Sequence, residues 1–469
     1  MPRPSLVRYT GLAGSLLLAV AAWLGGASSP WKPNVTPGTI FSGDNGVLLP
    51  VSWLVGTVLL IGAWWSGRRD VPSLRWAYLT AALWAVPLLP VLPLASYDVY
   101  SYACQGWQQA AGLDPYSGGV DLLGCPWADA VSPTWSDAPA PYGPVFLVLA
   151  AFAASVGGSL GGTVAMLRLI AVLSVVVIGW CLPMLARRAG VPPQRAVWLF
   201  LACPLVPIHL VSGAHNDAVM VALLVAGLAV AQAAVTWPRM IAAGVLLGLA
   251  VGVKATAVVV LPFALLLLPK PWWRATVLFG FAALGTLATV SLGAGLGLGW
   301  VTGLSGSGIS VQWTALPTAV GLTLEVLGVP SAVPVTRVLG MITLAVVLVV
   351  LWVRAFARFE QAVHYAGLAL AATVLLAPVF HPWYALWPLA VLAATVRKET
   401  LWLVAPFAVA AALCLPDGYN LALVTKTQGA VGMTVLAGCL AWKVLHEANQ
   451  HTRRPGAAHD GGDRPHRSP

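Results

Sequence analysis

Apolar runs of about 20 residues alternate with short polar segments along most of this chain. A helix needs that length to cross the hydrocarbon core of a bilayer. Because backbone groups in lipid must hydrogen-bond to one another, each run is predicted to be a helix. The pattern predicts an all-α polytopic membrane protein, with about 13 or 14 spans over residues 1–446. The spans are expected to start near Leu12, Val51, Tyr78, Val164, Ala196, Ala218, Met240, Thr256, Ala275, Val338, His364, Trp383, Leu401 and Val431.

Composition agrees with this pattern and excludes an ordinary soluble protein. Hydrophobic residues make up 59% of the chain and charged residues only 9%, whereas a soluble domain carries roughly a quarter charged residues. The net charge of +10 is spread over short Lys and Arg clusters between the apolar runs, so it does not indicate a nucleic-acid partner. Residues 447–469 are polar and rich in Arg, His, Gly and Pro, and we expect them to form a disordered tail.

The basic clusters predict the side of the membrane on which each loop lies, because cytoplasmic loops carry an excess of Lys and Arg. Their alternation predicts a multi-pass protein of the plasma membrane with both termini in the cytoplasm. The first apolar run, from Gly11 to Ala27, is interpreted as a retained span rather than a signal peptide. The predicted cytoplasmic clusters are Arg3 and Arg8, Arg68 to Arg75, Arg187 to Arg195, Arg239, Lys270 and Arg274, Arg354 and Arg358, and Arg397 and Lys398.

A long gap in these clusters predicts a large outer loop. No Lys or Arg occurs between Arg75 and Arg168, so the aromatic-rich segment within the gap should face outward. Only one span fits before the next cytoplasmic cluster, and we therefore expect Val145 to Leu160 to lie along the outer interface or dip into it. The segment 98–160 is thus predicted to form an extracytoplasmic loop with interfacial helices.

Two cysteines of this loop, Cys104 and Cys125, could pair in an oxidising compartment. The sequence leaves the pairing open.

Asp98 opens the outer loop directly after an apolar run, where a span meets water. A general base is a carboxylate or imidazole held close to the proton that it removes, and a carboxylate fixed at the end of a helix meets that need. The alternative is an interfacial Asp that caps the next helix. We select Asp98 as the candidate catalytic base.

Aromatic side chains surround this carboxylate in the sequence. Their flat faces can stack on sugar rings while their polar tips supply hydrogen bonds. Most of the loop aromatics fit the interfacial belt found in any membrane protein. Tyr97 and Tyr100 flank Asp98, and Tyr142 lies in a Pro-Tyr-Gly-Pro motif. These three tyrosines are the candidate sugar-binding aromatics.

Further polar groups fall at predicted outer ends of spans. His215, Asn216 and Asp217 form a compact cluster that could hold a sugar or a phosphate, or merely cap a helix. Lys254 interrupts an apolar stretch, where a cation is costly and commonly functional. A lipid-linked phosphate would be its natural partner, although a lysine can also snorkel to the interface. His381, in a His-Pro turn, could donate to the same phosphate.

Several site types have no counterpart in the sequence. No Cys-x-x-Cys or His-Glu-x-x-His spacing indicates a metal, and no glycine-rich phosphate loop indicates a nucleotide-sugar donor. The sequence indicates no cofactor with certainty, and it leaves a divalent-metal requirement open. A transporter or flippase is an alternative class, and it predicts paired midplane charges and repeated halves. Neither is found, whereas the polar groups gather at one predicted outer face.

The ordered motifs resemble those of a known family, the polyprenol-phosphomannose-dependent α-1,6-mannosyltransferases of actinobacteria. This family belongs to the GT-C class of multi-spanning glycosyltransferases. The resemblance covers most of the membrane part. It is carried by Ser96-Tyr97-Asp98-Val99-Tyr100-Ser101-Tyr102, Gly112-Leu113-Asp114-Pro115-Tyr116, Pro141-Tyr142-Gly143-Pro144, Gly213-Ala214-His215-Asn216-Asp217, Val253-Lys254-Ala255 and His381-Pro382-Trp383-Tyr384.

The resemblance implies a polyprenyl-phosphomannose donor, a lipomannan or mannan glycolipid acceptor, and Asp98 as the catalytic base in the first large outer loop. It also implies inversion at the anomeric carbon, for which one carboxylate suffices. Members of the class often carry two adjacent acidic residues at this position, but here Val99 follows Asp98. Related enzymes that transfer arabinose, or that add mannose to a phosphatidylinositol mannoside, remain alternatives.

Overall fold

A computed structural model describes most of the chain as helix. Helices are the only regular elements in the described part, apart from a single bridge between Cys414 and Asn420. The predicted all-α class is therefore confirmed. Lys398 and residues 453–469, which are predicted to be cytoplasmic, lie outside the described residues. The described ranges are 3–32, 46–303, 310–397, 401–418 and 420–452.

The described residues of the first half of the chain form ten α-helices, several of which begin at a proline or after a serine cap. Proline suits the first helical turn because its missing N–H has no intrahelical partner there. The helices are α1 Pro4–Gly25, α2 Leu48–Gly67, α3 Leu74–Ala85, α4 Asp98–Ala110, α5 Val120–Leu123, α6 Pro133–Ser136, α7 Pro144–Gly157, α8 Leu160–Ala189, α9 Pro193–Leu201 and α10 Asp217–Gln232.

The second half continues in the same manner, with 3₁₀ segments at Ala255–Val260 and Pro382–Ala385. The last helix runs through Thr452, so the start of the predicted tail is helical. The helices are α11 Trp237–Val253, α12 Leu261–Leu265, α13 Trp272–Gly293, α14 Gly299–Gly303, α15 Leu316–Val326, α16 Ala332–Ala357, α17 Ala362–Leu376, α18 Leu386–Thr395, α19 Ala405–Ala412 and α20 Lys426–Thr452.

Among the described residues, six helical segments are long and apolar enough to cross a membrane. A seventh span arises if α9 is joined to the π-helix Val206–Ser212, from which it is bent by 66°. The protein is therefore a multi-pass membrane protein. Six more apolar helical segments have 10–17 residues, and the count of 13 or 14 spans stays a prediction.

The long helix α8 separates two chemically different ends of the molecule. Near its start, Arg168 donates to the carbonyl oxygens of Ser212 and Leu89 at 3.0 and 2.7 Å. At its far end, Arg397 donates to the Ala189 carbonyl at 2.9 Å, and Arg195 donates to the carbonyl of Val396. About 20 helical residues lie between Arg168 and Ala189, which corresponds to about 30 Å. Predicted cytoplasmic clusters therefore meet at one end.

The predicted outer loop folds into α4 to α7 at the other end. Helix α4 lies against α7 so closely that a side chain on Gly106 would collide with the carbonyl oxygen of Ala150. A disulfide joins Cys104 on α4 to Cys125, which settles the pairing that the sequence left open. The apolar stretch beginning at Val145 forms most of α7, and its placement along the interface stays a prediction.

A candidate active site at the outer-loop end

Asp98 is the first residue of α4, and the turn before it is held by a distant part of the chain. Ala95 has φ +61°, a left-handed conformation that is costly for a residue with a side chain. Its N–H donates to the Pro416 carbonyl at 2.9 Å, and the Ser96 Oγ accepts from the Asp98 N–H at 3.1 Å. Because Gly418 packs against the Ser96 backbone, the C-terminal region fixes the direction in which Asp98 points.

Two groups from the protein interior approach the Asp98 carboxylate. The Tyr102 hydroxyl lies 3.5 Å from Asp98 Oδ2 and 3.2 Å from His215 Nδ1, and that ring nitrogen lies 3.8 Å from the same Oδ2. Tyr102 was not among the predicted site residues. Its position four residues after Asp98, on the same face of one helix, is the signal that could have found it.

The environment of Asp98 favours its protonated form more than water does. The Asp98 side chain is only 17% exposed, and burial raises the pKa of this carboxyl from 3.8 to about 6. The Lys254 ammonium and the hydroxyls of Ser96 and Tyr102 lower the pKa, whereas Asp217 raises it. A carboxylate whose conjugate acid has a pKa close to the working pH is well matched to accept a proton.

Lys254 and Asp217 form an ion pair beside this carboxylate. The Lys254 Nζ lies 2.9 Å from Asp217 Oδ1, and the two side chains are 11% and 0% exposed. The Trp387 indole donates to the same carboxylate oxygen at 2.5 Å. The ammonium also lies 4.4 Å from the centre of the Tyr384 ring, so its charge is balanced by a carboxylate and an aromatic face. Lys254 was predicted to be functional, but its partner was not foreseen.

Helix α11 ends next to Lys254, and the loop before α7 packs against that end. A side chain on Gly143 would lie 2.2 Å from the Gly252 carbonyl oxygen, and the Gly143 N–H donates to the Val253 carbonyl at 3.0 Å. This close approach brings the Tyr142 ring to 6.0 Å from the Lys254 Nζ. The Pro-Tyr-Gly-Pro motif therefore serves to place Tyr142 beside Lys254.

A stack of aromatic rings connects the remaining candidates. Trp383 stacks on His381 at 4.7 Å on one side and on His215 at 4.0 Å on the other. Burial, with a smaller contribution from Lys254, lowers the pKa of His381 to about 3. His381 is therefore neutral near pH 7 and carries one N–H donor.

Asn216 follows the stacked His215 and is almost fully buried. Neither polar atom of its side chain has a hydrogen-bond partner among the described residues.

Two cavities meet at Asp98. The first has a volume of about 390 Å³ and is lined by Asp98, Lys254 and apolar residues such as Met341, Leu344 and Val374. The second has a volume of about 500 Å³. Its polar and aromatic lining includes Trp31, Ser132, Thr134, Gln312, Asp417 and Asn420. Both cavities share Asp98, Trp135, His381 and Trp383.

The three candidate tyrosines lie in different places. Tyr142 lines the first cavity and Tyr97 the second. Tyr100 lines neither of them, and its hydroxyl donates to the Ala27 carbonyl at 2.7 Å, where it helps α4 to pack against the segment after α1. Within the described ranges, no group of three His, Cys, Asp or Glu residues could hold a metal ion.

Comparison with known proteins shows what this architecture is. The family model described as "Alpha-(1->6)-mannopyranosyltransferase, N-terminal domain" matches residues 8–270. The family model of the MptB C-terminal domain matches residues 310–446. No solved structure matches the chain, so the GT-C class stays a prediction.

Two curated relatives cover most of the sequence. Alpha-(1->6)-mannopyranosyltransferase A of Mycobacterium tuberculosis is 33% identical over 82% of this chain and 79% of its own length. Alpha-(1->6)-mannopyranosyltransferase B of Corynebacterium glutamicum is 30% identical over 84% of this chain and 73% of its own length. The protein is therefore a membrane-embedded glycosyltransferase, and it belongs to the Alpha-(1->6)-mannopyranosyltransferase family.

Proposed function

We propose that this protein transfers mannose from polyprenyl-phosphomannose to the 6-hydroxyl of a mannan glycolipid, on the outer side of the plasma membrane. The observation that carries the proposal is the Asp98 carboxylate, which lies where two cavities meet. Relatives named for α-1,6-mannosyl transfer support the sugar and the linkage. The chemistry of the two cavities supports the assignment of donor and acceptor.

The first cavity suits a lipid-linked phosphate. Its apolar wall includes Met341 and Leu344 of α16, and the outer side of the same helix exposes apolar residues such as Val338, at 60%, to the surroundings. A prenyl chain could therefore approach from the bilayer while its phosphate reaches Lys254 at the inner end. A cation in such a place is costly unless it has a function.

The second cavity suits a saccharide. Trp31 and the shared Trp135 offer flat faces for sugar rings, while Gln312, Asp417 and Asn420 offer hydrogen-bonding groups. Trp31 and these three polar residues do not line the first cavity. We assign the second cavity to the non-reducing end of the acceptor, whose terminal 6-hydroxyl would then point at Asp98.

One displacement accounts for the reaction. Asp98 accepts the proton of the acceptor hydroxyl while the hydroxyl oxygen bonds to the anomeric carbon. The bond from that carbon to the phosphate oxygen breaks, and its electron pair leaves with the polyprenyl phosphate. Lys254 and the N–H of His381 stabilise the charge that develops on the phosphate. Asp217 is paired with Lys254, so Asp98 acts without a second carboxylate. A single displacement with no covalent intermediate inverts the configuration of the anomeric carbon.

The predicted outward orientation has two structural supports. Polar candidates gather at one end of α8, and two predicted cytoplasmic clusters meet at the other end. The disulfide between Cys104 and Cys125 suits an oxidising, extracytoplasmic compartment. With the site outside, the positive-inside rule keeps both termini in the cytoplasm.

The test uses purified protein with radiolabelled polyprenyl-phosphomannose and short α-1,6-mannoside acceptors. We expect a product that is one mannose longer and is cleaved by an α-1,6-specific mannosidase, and we expect no product with Asp98→Asn. GDP-mannose, polyprenyl-phosphoarabinose and phosphatidylinositol mannoside acceptors test the alternatives. Transfer from GDP-mannose, a preference for the arabinose donor, or full activity of Asp98→Asn would each reject the proposal.

A further inference from the structure

Two buried side chains that line neither cavity lie close to Asp98. Tyr102 and His215 are each 0% exposed, and neither lines the first or the second cavity. The Tyr102 hydroxyl nonetheless lies within 3.5 Å of Asp98 Oδ2 and 3.2 Å of His215 Nδ1. These residues cannot touch a substrate in either cavity, so any role in the reaction must pass through Asp98.

We propose that Tyr102 and His215 are positioning residues, which form a hydrogen-bonded chain that holds the Asp98 carboxylate toward the acceptor hydroxyl. This inference rests on the proposed function, in which Asp98 is the base. It places His215 behind the catalytic carboxylate rather than against a sugar. It also adds Tyr102, whose hydroxyl connects the two other groups.

The direction of the chain follows from the number of protons available. An ionised carboxylate only accepts hydrogen bonds, and a tyrosine hydroxyl has one proton to donate. In the proposed chain Tyr102 donates its one proton to Asp98 Oδ2, which leaves the Nδ1–H of His215 to donate to the Tyr102 oxygen. Burial lowers the pKa of His215 well below its ordinary value, so the ring is neutral and Nε2 is then unprotonated.

The surroundings hold the His215 ring in this orientation. Trp383 stacks on one face at 4.0 Å, and the His209 ring meets it at 5.4 Å. Just before it, Ala214 has φ +50°, a strained turn that the surrounding contacts must maintain. The 3.5 Å contact between Tyr102 and Asp98 is long for a hydroxyl donor, but catalytic hydrogen bonds commonly tighten once substrate binds.

The chain should make Asp98 a stronger acid, because a hydrogen bond to the charged form favours that form. Other groups also face Asp98, and one of them, Tyr142, is hydrogen-bonded to the Tyr102 side chain. These groups are Lys254, Asp217, Tyr142, Tyr384, His381 and Ser96. Loss of a hydrogen bond to a carboxylate should therefore raise the pH at which activity is half lost by about 1 to 2 units.

The experiment measures kcat/KM against pH for wild type, Tyr102→Phe, His215→Asn and His215→Phe. We expect Tyr102→Phe and His215→Phe to move the acid limb upward, with kcat at pH 7 reduced about tenfold and the donor KM little changed. His215→Asn keeps an N–H near the Nδ1 position and should retain most of the wild-type profile. The double variant Tyr102→Phe/His215→Phe should shift no further than Tyr102→Phe alone.

A matched control is Tyr78→Phe, which removes a hydroxyl bonded to the Gly179 carbonyl on a helix outside the site and should leave the profile unchanged. An unshifted acid limb in Tyr102→Phe, or equal loss in His215→Asn and His215→Phe, overturns the inference. Asp98→Asn separates the two proposals. If that variant is inactive while Tyr102→Phe is unshifted, only the positioning chain fails. If Asp98→Asn is active, the proposed function fails.

Discussion

At the scale of single residues, Lys254 shows how a cation is retained in an apolar region. Its ion pair with Asp217 and the aromatic faces of Tyr384 and Trp387 replace the water that the ammonium would otherwise need. Removing one member of a buried ion pair strongly destabilises the folded protein, because the remaining charge has no partner. Any test of Lys254 must therefore separate phosphate binding from stability.

We expect Lys254→Met to reduce kcat/KM for the lipid-phosphate donor by about 100-fold, because one electrostatic stabiliser of the leaving group is lost. The apparent affinity for a neutral mannoside acceptor should change little. Kinetics with each substrate varied in turn measure this. The double variant Lys254→Met/Asp217→Asn should recover thermal stability without recovering donor use, and Lys270→Met at a predicted cytoplasmic cluster serves as the control. Normal donor kinetics would leave Lys254 as a structural residue.

The pH dependence follows from the state of Asp98. Burial raises the pKa of this carboxyl to about 6, and only the ionised form can accept a proton. The ionised fraction rises as pH increases through 6, so activity is full above that pH and is lost below it. We expect kcat/KM to fall about tenfold per unit below pH 6. A profile that stays flat down to pH 4.5 would contradict a base with this pKa.

Several candidate residues selected from the sequence lie together in the structure, and their roles stay predictions, but their pairings were not predicted. The first cavity is lined by four of these candidates, Asp98, Lys254, His381 and Tyr142. Each was selected because it is a polar or aromatic residue near the end of an apolar run. The pairing of Lys254 with Asp217 bridges 37 positions. Hydrophobic pattern carries no information about contacts at that separation, and Tyr102 was overlooked among the other loop aromatics.

At the scale of elements, glycines set how closely the site-bearing segments approach. Gly143 and Gly252 allow the loop before α7 to touch the end of α11 backbone to backbone, and that contact places Tyr142 near Lys254. The motif around Gly143 was visible in the sequence. The structural role of this glycine was not visible, because the backbone that it contacts, at Gly252, lies more than a hundred residues further along the chain.

We expect Gly143→Ala to lower kcat/KM by at least about tenfold and to reduce the melting temperature, because its Cβ would lie 2.2 Å from the Gly252 carbonyl oxygen. Activity assays and thermal unfolding in detergent measure both effects. Gly285→Ala is the matched control, since nothing lies within 4 Å of the added carbon. Wild-type behaviour of Gly143→Ala would show that this crossing does not constrain the site.

At the scale of the whole molecule, the multi-pass architecture was predictable and the helix lengths were not. Apolar runs mark helices that need lipid or protein around them, which fixed the all-α class. The 66° bend between α9 and the following π-helix and the short helices around the site depend on packing between distant segments. The positive-inside rule predicts the sidedness of this architecture, and that prediction can be measured directly.

We expect a cysteine at exposed Ser117 to react with a membrane-impermeant maleimide on intact spheroplasts, because the outer loop is predicted to face away from the cytoplasm. The disulfide of Cys104 and Cys125 is kept, and the four free cysteines are replaced by alanine. A cysteine at Arg188, at the opposite end, should react only after lysis. The reverse pattern would invert the topology and place the site in the cytoplasm.

The meeting of two cavities at one carboxylate also constrains the order of events in catalysis. In the proposed assignment, donor and acceptor occupy separate cavities at the same time, and Asp98, His381 and Trp383 line both cavities. Transfer then needs no covalent mannosyl-enzyme intermediate between two half-reactions. Initial-rate plots should therefore intersect, as in a sequential mechanism with a ternary complex, rather than run parallel as in ping-pong exchange.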